Sequence, residues 1–207
     1  MPTFREIHAR NVLTYEENAS AWDFQRKGKF IEKSWIERLA ECLPDGATVL
    51  DVGCGAGIPI AQYFIQQRFS YTGVDASRAM LQIARERFPD ECWILMDMRE
   101  LQLARSFDGI IAWDSFFHLS PDEQRTTLER FCRHLKAGGA LLMTIGDRAG
   151  EVLGTVNGAE VYHSSLEPAE YQRLLAGFGF SRVVIVPRDQ TCGGRTVLLA
   201  AEFHRSI

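Results

Sequence analysis

The stretch Val49-Leu50-Asp51-Val52-Gly53-Cys54-Gly55-Ala56-Gly57 decides the fold: an apolar β-type run enters three alternate glycines, and a helical pattern over 58–68 follows. Glycine permits positive φ and lacks the Cβ that would hold a ligand at a distance, so this turn is suited to a ligand pressed against backbone. The spacing is G-x-G-x-G. A dinucleotide fingerprint would need a third glycine at 58, where Ile58 stands. Asp51, two residues before the first glycine, presents an acid to the loop, which suits an ammonium group better than a pyrophosphate.

Outward from the loop the chain alternates between strand-like and helical runs. Ser70–Asp75 precedes a helical pattern over 77–88. Cys92–Asp97 and Phe107–Trp113 read as further strands, a helix runs from Pro121 to Lys136, and a strand follows over 139–145. Near-continuous apolar strands such as Gly109-Ile110-Ile111-Ala112-Trp113 predict a parallel sheet covered by helices on both faces. Ser120-Pro121-Asp122-Glu123 carries the signature of a helix start: a capping serine, proline at the first helical position and an acid three residues after the cap. Asn157-Gly158, between two β-rich runs, predicts a tight hairpin, and a Pro168-led helix to about Phe178 precedes two last strands, 180–187 and 196–202.

The 207 residues hold 46% hydrophobic and 24% charged side chains, which excludes a disordered chain and predicts one domain with a small lid. Lys and Arg number 23 against 27 acids, a net charge of -4 without a basic block, which disfavours nucleic acid as a partner. No apolar run reaches the roughly 18 residues of a membrane span and residues 1–10 lack a signal-peptide core, so a cytoplasmic location is expected. The five cysteines are scattered without a C-x-x-C pair; no disulfide framework and no metal site is indicated.

The chain resembles the class I S-adenosylmethionine-dependent methyltransferases, whose first motif is an acid, one residue and G-x-G-x-G. The likeness continues through Gly73-Val74-Asp75-Ala76-Ser77, Met96-Asp97-Met98-Arg99, Phe107-Asp108-Gly109-Ile110-Ile111 and Leu135-Lys136-Ala137-Gly138-Gly139-Ala140-Leu141. In detail, Trp113–Ser120 and Tyr162–Leu166 look like small bacterial methyltransferases of the type 11/25 kind. The resemblance implies a Rossmann-like, doubly wound α/β fold: a seven-stranded, mostly parallel sheet whose last strand is antiparallel. It implies S-adenosyl-L-methionine as cofactor, S-adenosyl-L-homocysteine as product, and in-line displacement of the methyl group onto a small organic acceptor. The organisation expected is an N-terminal helical lid over 1–45, a cofactor-binding domain over 46–207 with a hairpin insertion over 147–165, and a monomer or homodimer.

The expected cofactor contacts are Asp51, Gly53, Cys54, Gly55, Gly57, Asp75, Ala76, Met80, Asp97, Met98 and Trp113. An Asp75 carboxylate accepts well from two ribose hydroxyls and repels a 2′-phosphate; Asp97 and the Met98 amide suit the edge of an adenine, and Ala76 and Met80 its faces. Acceptor contacts are expected above the carboxyl ends of the strands, from Phe116, Phe117, Tyr162 and Arg195, with Tyr15 and Trp22 as a roof. An anionic nucleophile needs no base. A neutral hydroxyl or amine does, and His118, His163 and Asp114 are the candidates by position. A histidine beside two phenylalanines is more commonly a packing partner, and Asp114 is equally placed to cap a turn. Two other readings share the sheet: an NAD(P)-binding reductase, and a regulatory protein that binds S-adenosylmethionine without catalysis.

Overall fold

Val49 and Leu50 are adjacent and both fully buried, yet they point into different apolar layers, as do Ile110 and Ile111 and, again, Leu141 and Leu142. A strand turns successive side chains to opposite faces, so these runs need cover on both sides of a sheet. The computed structural model supplies it, and describes residues 2–204. Residues 1 and 205–207, within the two expected segments 1–45 and 46–207, lie outside the described residues.

The chain opens with three helices, α1 (Phe4–Glu17), α2 (Ala19–Arg26) and α3 (Lys33–Glu41). Then come β1 (Thr48–Val52), α4 (Ile60–Gln66), β2 (Ser70–Asp75), α5 (Arg78–Arg87), β3 (Cys92–Leu95), β4 (Phe107–Ala112), α6 (Pro121–Arg133) and β5 (Leu135–Ile145). A hairpin of β6 (Gly150–Val156) and β7 (Ala159–Ser165) precedes α7 (Pro168–Phe178), β8 (Phe180–Asp189) and β9 (Arg195–Phe203). Asn157 and Gly158 at its tip have φ of 48° and 82°, the left-handed pair a tight hairpin turn demands.

Seven strands form one sheet in the order β3-β2-β1-β4-β5-β9-β8, and the hairpin is a separate two-stranded sheet. β9 runs antiparallel to both its neighbours, and the remaining pairings are parallel, as the resemblance implied. Helices α3, α4 and α5 cover one face, with Trp35, Leu39, Phe64 and Leu81 in its apolar layer. Helices α6 and α7 cover the other through Leu128, Phe131, Tyr171 and Leu175. The chain turns from β1 to β2 on one side and places β4 on the other, so a crevice opens beyond the carboxyl ends of β1 and β4, where open α/β sheets bind ligands.

Two local readings differ from the structure. The helix expected to reach Lys136 ends at Arg133, and β5 begins at Leu135 rather than 139. Long-range pairing decides this: Phe107 N–H donates to the His134 carbonyl at 2.7 Å and Leu135 pairs with Phe107, so the chain is already in the sheet when it reaches Gly138. Gly138 (φ 79°) sits in an irregularity of that strand pair and does not stop the helix. The N-terminal segment also divides. Trp35, Ile36 and Leu39 place α3 in the core of the sheet, whereas α1 and α2 lie over the crevice.

Candidate active site

Gly53, Cys54 and Gly55 form the floor of a cleft that also takes in Asp51, Ala56, Asp75, Ala76, Met80, Asp97, Met98 and Trp113, so ten of the eleven expected cofactor contacts line one cavity. Gly57 does not: a Cβ there would lie 2.8 Å from the Trp93 ring, and packing explains that glycine. Gly53 (φ 78°) serves packing as well, since its Cβ would meet the Cβ of Ser115 at 2.3 Å. Gly55 (φ 54°) is the open position. A Cβ there finds only the Met80 sulfur, at 3.9 Å, so the backbone is bare toward the cleft.

The acids are set by the ends of β1 and β2. Asp75 accepts from the Gly55 amide through Oδ2 and from the Ser77 amide through Oδ1, both at 2.8 Å, leaving further lone pairs for a ligand. Its burial raises its pKa, against the lowering effect of those amides. Asp51 is buried, and desolvation pushes its pKa up to about 7 although the Tyr71 hydroxyl donates to it at 2.7 Å. Asp97 is differently engaged. Arg99 forks it at 2.6 to 3.0 Å, and while burial raises the Asp97 pKa, the hydrogen bonds and charge of Arg99 outweigh burial and hold it below the usual range.

Helices α1 and α2 form the roof and are tied down by polar contacts. Glu16 accepts from Ser77 Oγ at 2.6 Å and from the Ala79 amide at 3.0 Å. Arg87 on α5 forks Asp23 at 2.9 Å and also donates to the Ala56 carbonyl at 2.8 Å. Beneath the roof, Tyr15 and Trp22 pack edge to face, 5.6 Å apart, and both line the cleft.

His118 meets them at the inner end. Its Nε2 lies 2.8 Å from the Tyr15 hydroxyl and its Nδ1 lies 3.0 Å from the Tyr162 carbonyl. Burial, with a smaller contribution from His163, lowers the His118 pKa to about 4, so the ring is neutral. Burial together with the charges of Asp114 and Asp75 raises the Tyr15 pKa, so its hydroxyl keeps its proton.

The remaining expected residues divide by position. Asp114 lines the cleft, but Arg195 forks it with hydrogen bonds of 2.6 to 3.0 Å. His163 lies off the cleft, edge-on to Phe117 (4.7 Å) and tilted against His118 (4.9 Å), and burial lowers its pKa. Phe116 is fully buried in the core with Phe131 and Tyr171. The Tyr162 ring packs on Phe4 and His8 and its hydroxyl donates to Glu151, away from the cleft.

Several cleft residues escape a reading of motifs. Arg26 lines the cleft and is ion-paired with Glu32, which is fully buried and has one carboxylate oxygen, Oε2, without a partner among the described residues. Asn11, His8 and Ser115 also line it. The polar periodicity of α1 is the one signal pointing to Asn11, and it does not distinguish a buried amide from an exposed one. Trp113 lines the cleft, and its indole N–H is buried without an acceptor among the described residues. The bare Gly55 backbone and the carboxylates at the ends of β1 and β2 fit a zwitterionic nucleoside.

Comparison with known proteins bears on the domain and its fold. Residues 49–139 match the family model described as a methyltransferase domain. Among curated relatives, the trans-aconitate 2-methyltransferase of Azoarcus sp. (strain BH72) is 35% identical over 127 residues, covering 58% of this chain and 49% of that protein. A dTDP-3-amino-3,4,6-trideoxy-alpha-D-glucopyranose N,N-dimethyltransferase of Streptomyces venezuelae is 30% identical over 102 residues, covering 48% and 43%. The chain thus spans about half the length of these relatives. Among solved structures, the SAM-bound amino pentose methyltransferase from Micromonospora echinaspora superposes with a TM-score of 0.70 at 22% identity, covering 88% of this chain and 96% of that one, which shows the shared fold. The matched residues and the strand order converge: residues 49–139 match a methyltransferase domain, and the chain shares the fold of a SAM-bound methyltransferase.

Proposed function

We propose that this protein transfers the methyl group of S-adenosylmethionine to a small organic acceptor carrying an amine or hydroxyl. One observation carries the reading: the bare glycine loop, the half-buried Asp75 carboxylate and the Tyr15–His118 pair share a single cleft. In this reading Asp51 receives the cofactor's ammonium, Asp75 the ribose hydroxyls, and Met98 and Asp97 the adenine edge. Helices α1 and α2 close over it as a lid. A 2′-phosphate beside the Asp75 carboxylate would be repelled, which argues against an NADP-dependent reductase.

When bound, the cofactor supplies an electrophilic methyl group on a sulfonium. The residues contribute alignment and dryness. Tyr15 and Trp22 exclude water from the inner end of the cleft, which favours the reaction of an anionic acceptor, whose charge and that of the sulfonium are neutralised together. For a neutral acceptor, the Tyr15 hydroxyl takes up the acceptor's proton as its own passes to neutral His118 across the 2.8 Å contact. Both carboxylate oxygens of Asp114 are already engaged by Arg195. The cleft arginines Arg26 and Arg99 are likewise paired with Glu32 and Asp97, so a polyanionic acceptor finds no free cation among them.

Calorimetry with S-adenosylhomocysteine and with NADH and NADPH tests the cofactor, and a library of amines, phenols and carboxylates with methyl-labelled cofactor tests the acceptor. Binding of the first ligand alone and label transfer lost in His118→Ala are expected. Binding of a nicotinamide nucleotide in its place, or full turnover in His118→Ala, would overturn the corresponding assignment.

A further inference from the structure

Tyr162 lies in β7, opposite Leu153 of β6, yet its peptide N–H and C=O are both taken from the other side, by one side chain of α1. The Tyr162 N–H donates to Asn11 Oδ1 at 2.9 Å, and Asn11 Nδ2 donates to the Tyr162 carbonyl at 2.9 Å. The amide of Asn11 therefore pairs with this strand edge as a neighbouring strand would, and the pairing settles which way the amide faces: only its oxygen can accept from the Tyr162 N–H. Asn11 is buried, 107 residues from His118 in sequence.

The same carbonyl meets His118 Nδ1 at 3.0 Å, while Asn11 Nδ2 and His118 Nδ1 are 3.3 Å apart. Two arrangements of the imidazole proton are possible in principle. If Nδ1 carried the lone pair, two acceptors would face each other at 3.0 Å, which is repulsive. If Nδ1 carries the proton, two donors converge on the two lone pairs of one carbonyl, and a separation of 3.3 Å between such donors is ordinary. Nε2 is then the acceptor, and the Tyr15 hydroxyl donates to it at 2.8 Å.

We propose that Asn11 is a positioning residue: by pairing with both peptide groups of Tyr162 it holds the carbonyl on which His118 Nδ1–H is seated, and so keeps the Nε2 lone pair directed at Tyr15 and the cleft. A free histidine prefers the opposite tautomer, and water in place of the amide would donate to Nδ1 as readily as accept from it, so the bias depends on Asn11. The proton-accepting role of His118 rests on the methyl-transfer reading; the tautomer does not.

The test is a long-range 1H–15N spectrum of the full chain labelled with 15N-histidine, recorded near pH 7 for wild type, Asn11→Ala and Asn11→Asp. Wild-type His118 is expected as the Nδ1–H tautomer. In Asn11→Ala the Nε2–H form is expected to become a major species, with the thermal midpoint falling independently of it. Asn11→Asp, isosteric but unable to donate to the Tyr162 carbonyl, is expected to shift the ring away from the wild-type signature too, and it serves if the alanine variant does not fold. An Nε2–H signature in wild type, or Nδ1–H unchanged in the variants that fold, overturns the proposal. Should neither variant fold, the wild-type spectrum and the same spectrum of Tyr15→Phe decide: Nδ1–H retained in Tyr15→Phe supports seating from the carbonyl side, and its loss assigns the seating to Tyr15 and overturns the role of Asn11. Calorimetry with S-adenosylhomocysteine on the wild type reads the cofactor assignment separately, so its failure and that of the tautomer are distinguishable.

Discussion

The Arg195 guanidinium grips the Asp114 carboxylate with Nε at 2.8 and 3.0 Å and Nη2 at 2.6 Å, joining the loop after β4 to the start of β9 across 81 residues. Asp114 itself sits at φ 49°, with its amide donating to Thr144 Oγ1 at 2.8 Å. Side-chain exposures of 28% and 13% place the pair between a surface ion pair and a buried one. Arg195→Ala is therefore expected to destabilise the protein by about 1 to 3 kcal/mol, and Asp114→Asn added to it to recover part of that loss. Urea unfolding of the four proteins in the cycle checks it; additive single and double losses would show that the two side chains act independently.

Asp75→Asn keeps the shape of the side chain but loses its charge. With the fold retained by circular dichroism, S-adenosylhomocysteine is expected to bind about 10- to 100-fold more weakly, the equivalent of one or two charge-assisted hydrogen bonds. Affinity within twofold of wild type would remove the ribose contact from Asp75.

Asp51 gives a pH signature of defined sign. Burial raises its pKa from 3.8 to about 7, so between these values the folded protein holds a proton that the unfolded chain has released. Its contribution to stability thus falls as pH rises through that window, by at most about 1.4 kcal/mol per unit. Asp51→Asn is expected to flatten this slope. A ligand ammonium favours the carboxylate, so S-adenosylhomocysteine affinity is expected to rise from pH 6 to pH 8 in wild type and to lose that rise in Asp51→Asn. A flat affinity profile in wild type would place the ammonium elsewhere.

Gly53 and Gly55, two of the three glycines of the loop, are expected to respond differently. Gly53→Ala meets both the left-handed φ and the Ser115 Cβ at 2.3 Å, for a cost of about 2 to 4 kcal/mol. Gly55→Ala meets the φ penalty alone, about 1 kcal/mol, but places a methyl in the cleft, so its loss should appear in cofactor affinity. Thermal unfolding and calorimetry on both variants separate the two; equal loss of stability in both would contradict the packing assigned to Ser115.

The roof offers a kinetic test. Arg87→Ala removes the fork to Asp23 and the bond to the Ala56 carbonyl, which hold α2 against the glycine loop. Faster dissociation of S-adenosylhomocysteine and faster proteolysis within 27–31 are expected, with α3 remaining protected by its core contacts through Trp35 and Leu39. Unchanged dissociation in stopped-flow would show that α2 does not gate the cleft.

Much of this was legible in the chain itself, because local forces write local patterns. Apolar neighbours such as Ile110 and Ile111 announce a strand buried on both faces, Ser120-Pro121 opens α6 with the Ser120 N–H donating to Glu123 at 2.8 Å, and Asn157-Gly158 turns the hairpin. The glycine loop likewise marks the cleft floor, through Gly55. Tertiary structure decided the rest. That Arg195 neutralises Asp114, that Phe116 turns into the core while His118 faces the cleft, that Gly53 and Gly57 yield to Ser115 and Trp93, and that Asn11 reaches Tyr162 across 151 residues depend on which elements pack together. Side-chain chemistry along a strand or helix is periodic and local, whereas the partner that satisfies a buried polar group is selected by long-range packing, which the spacing of residues does not encode.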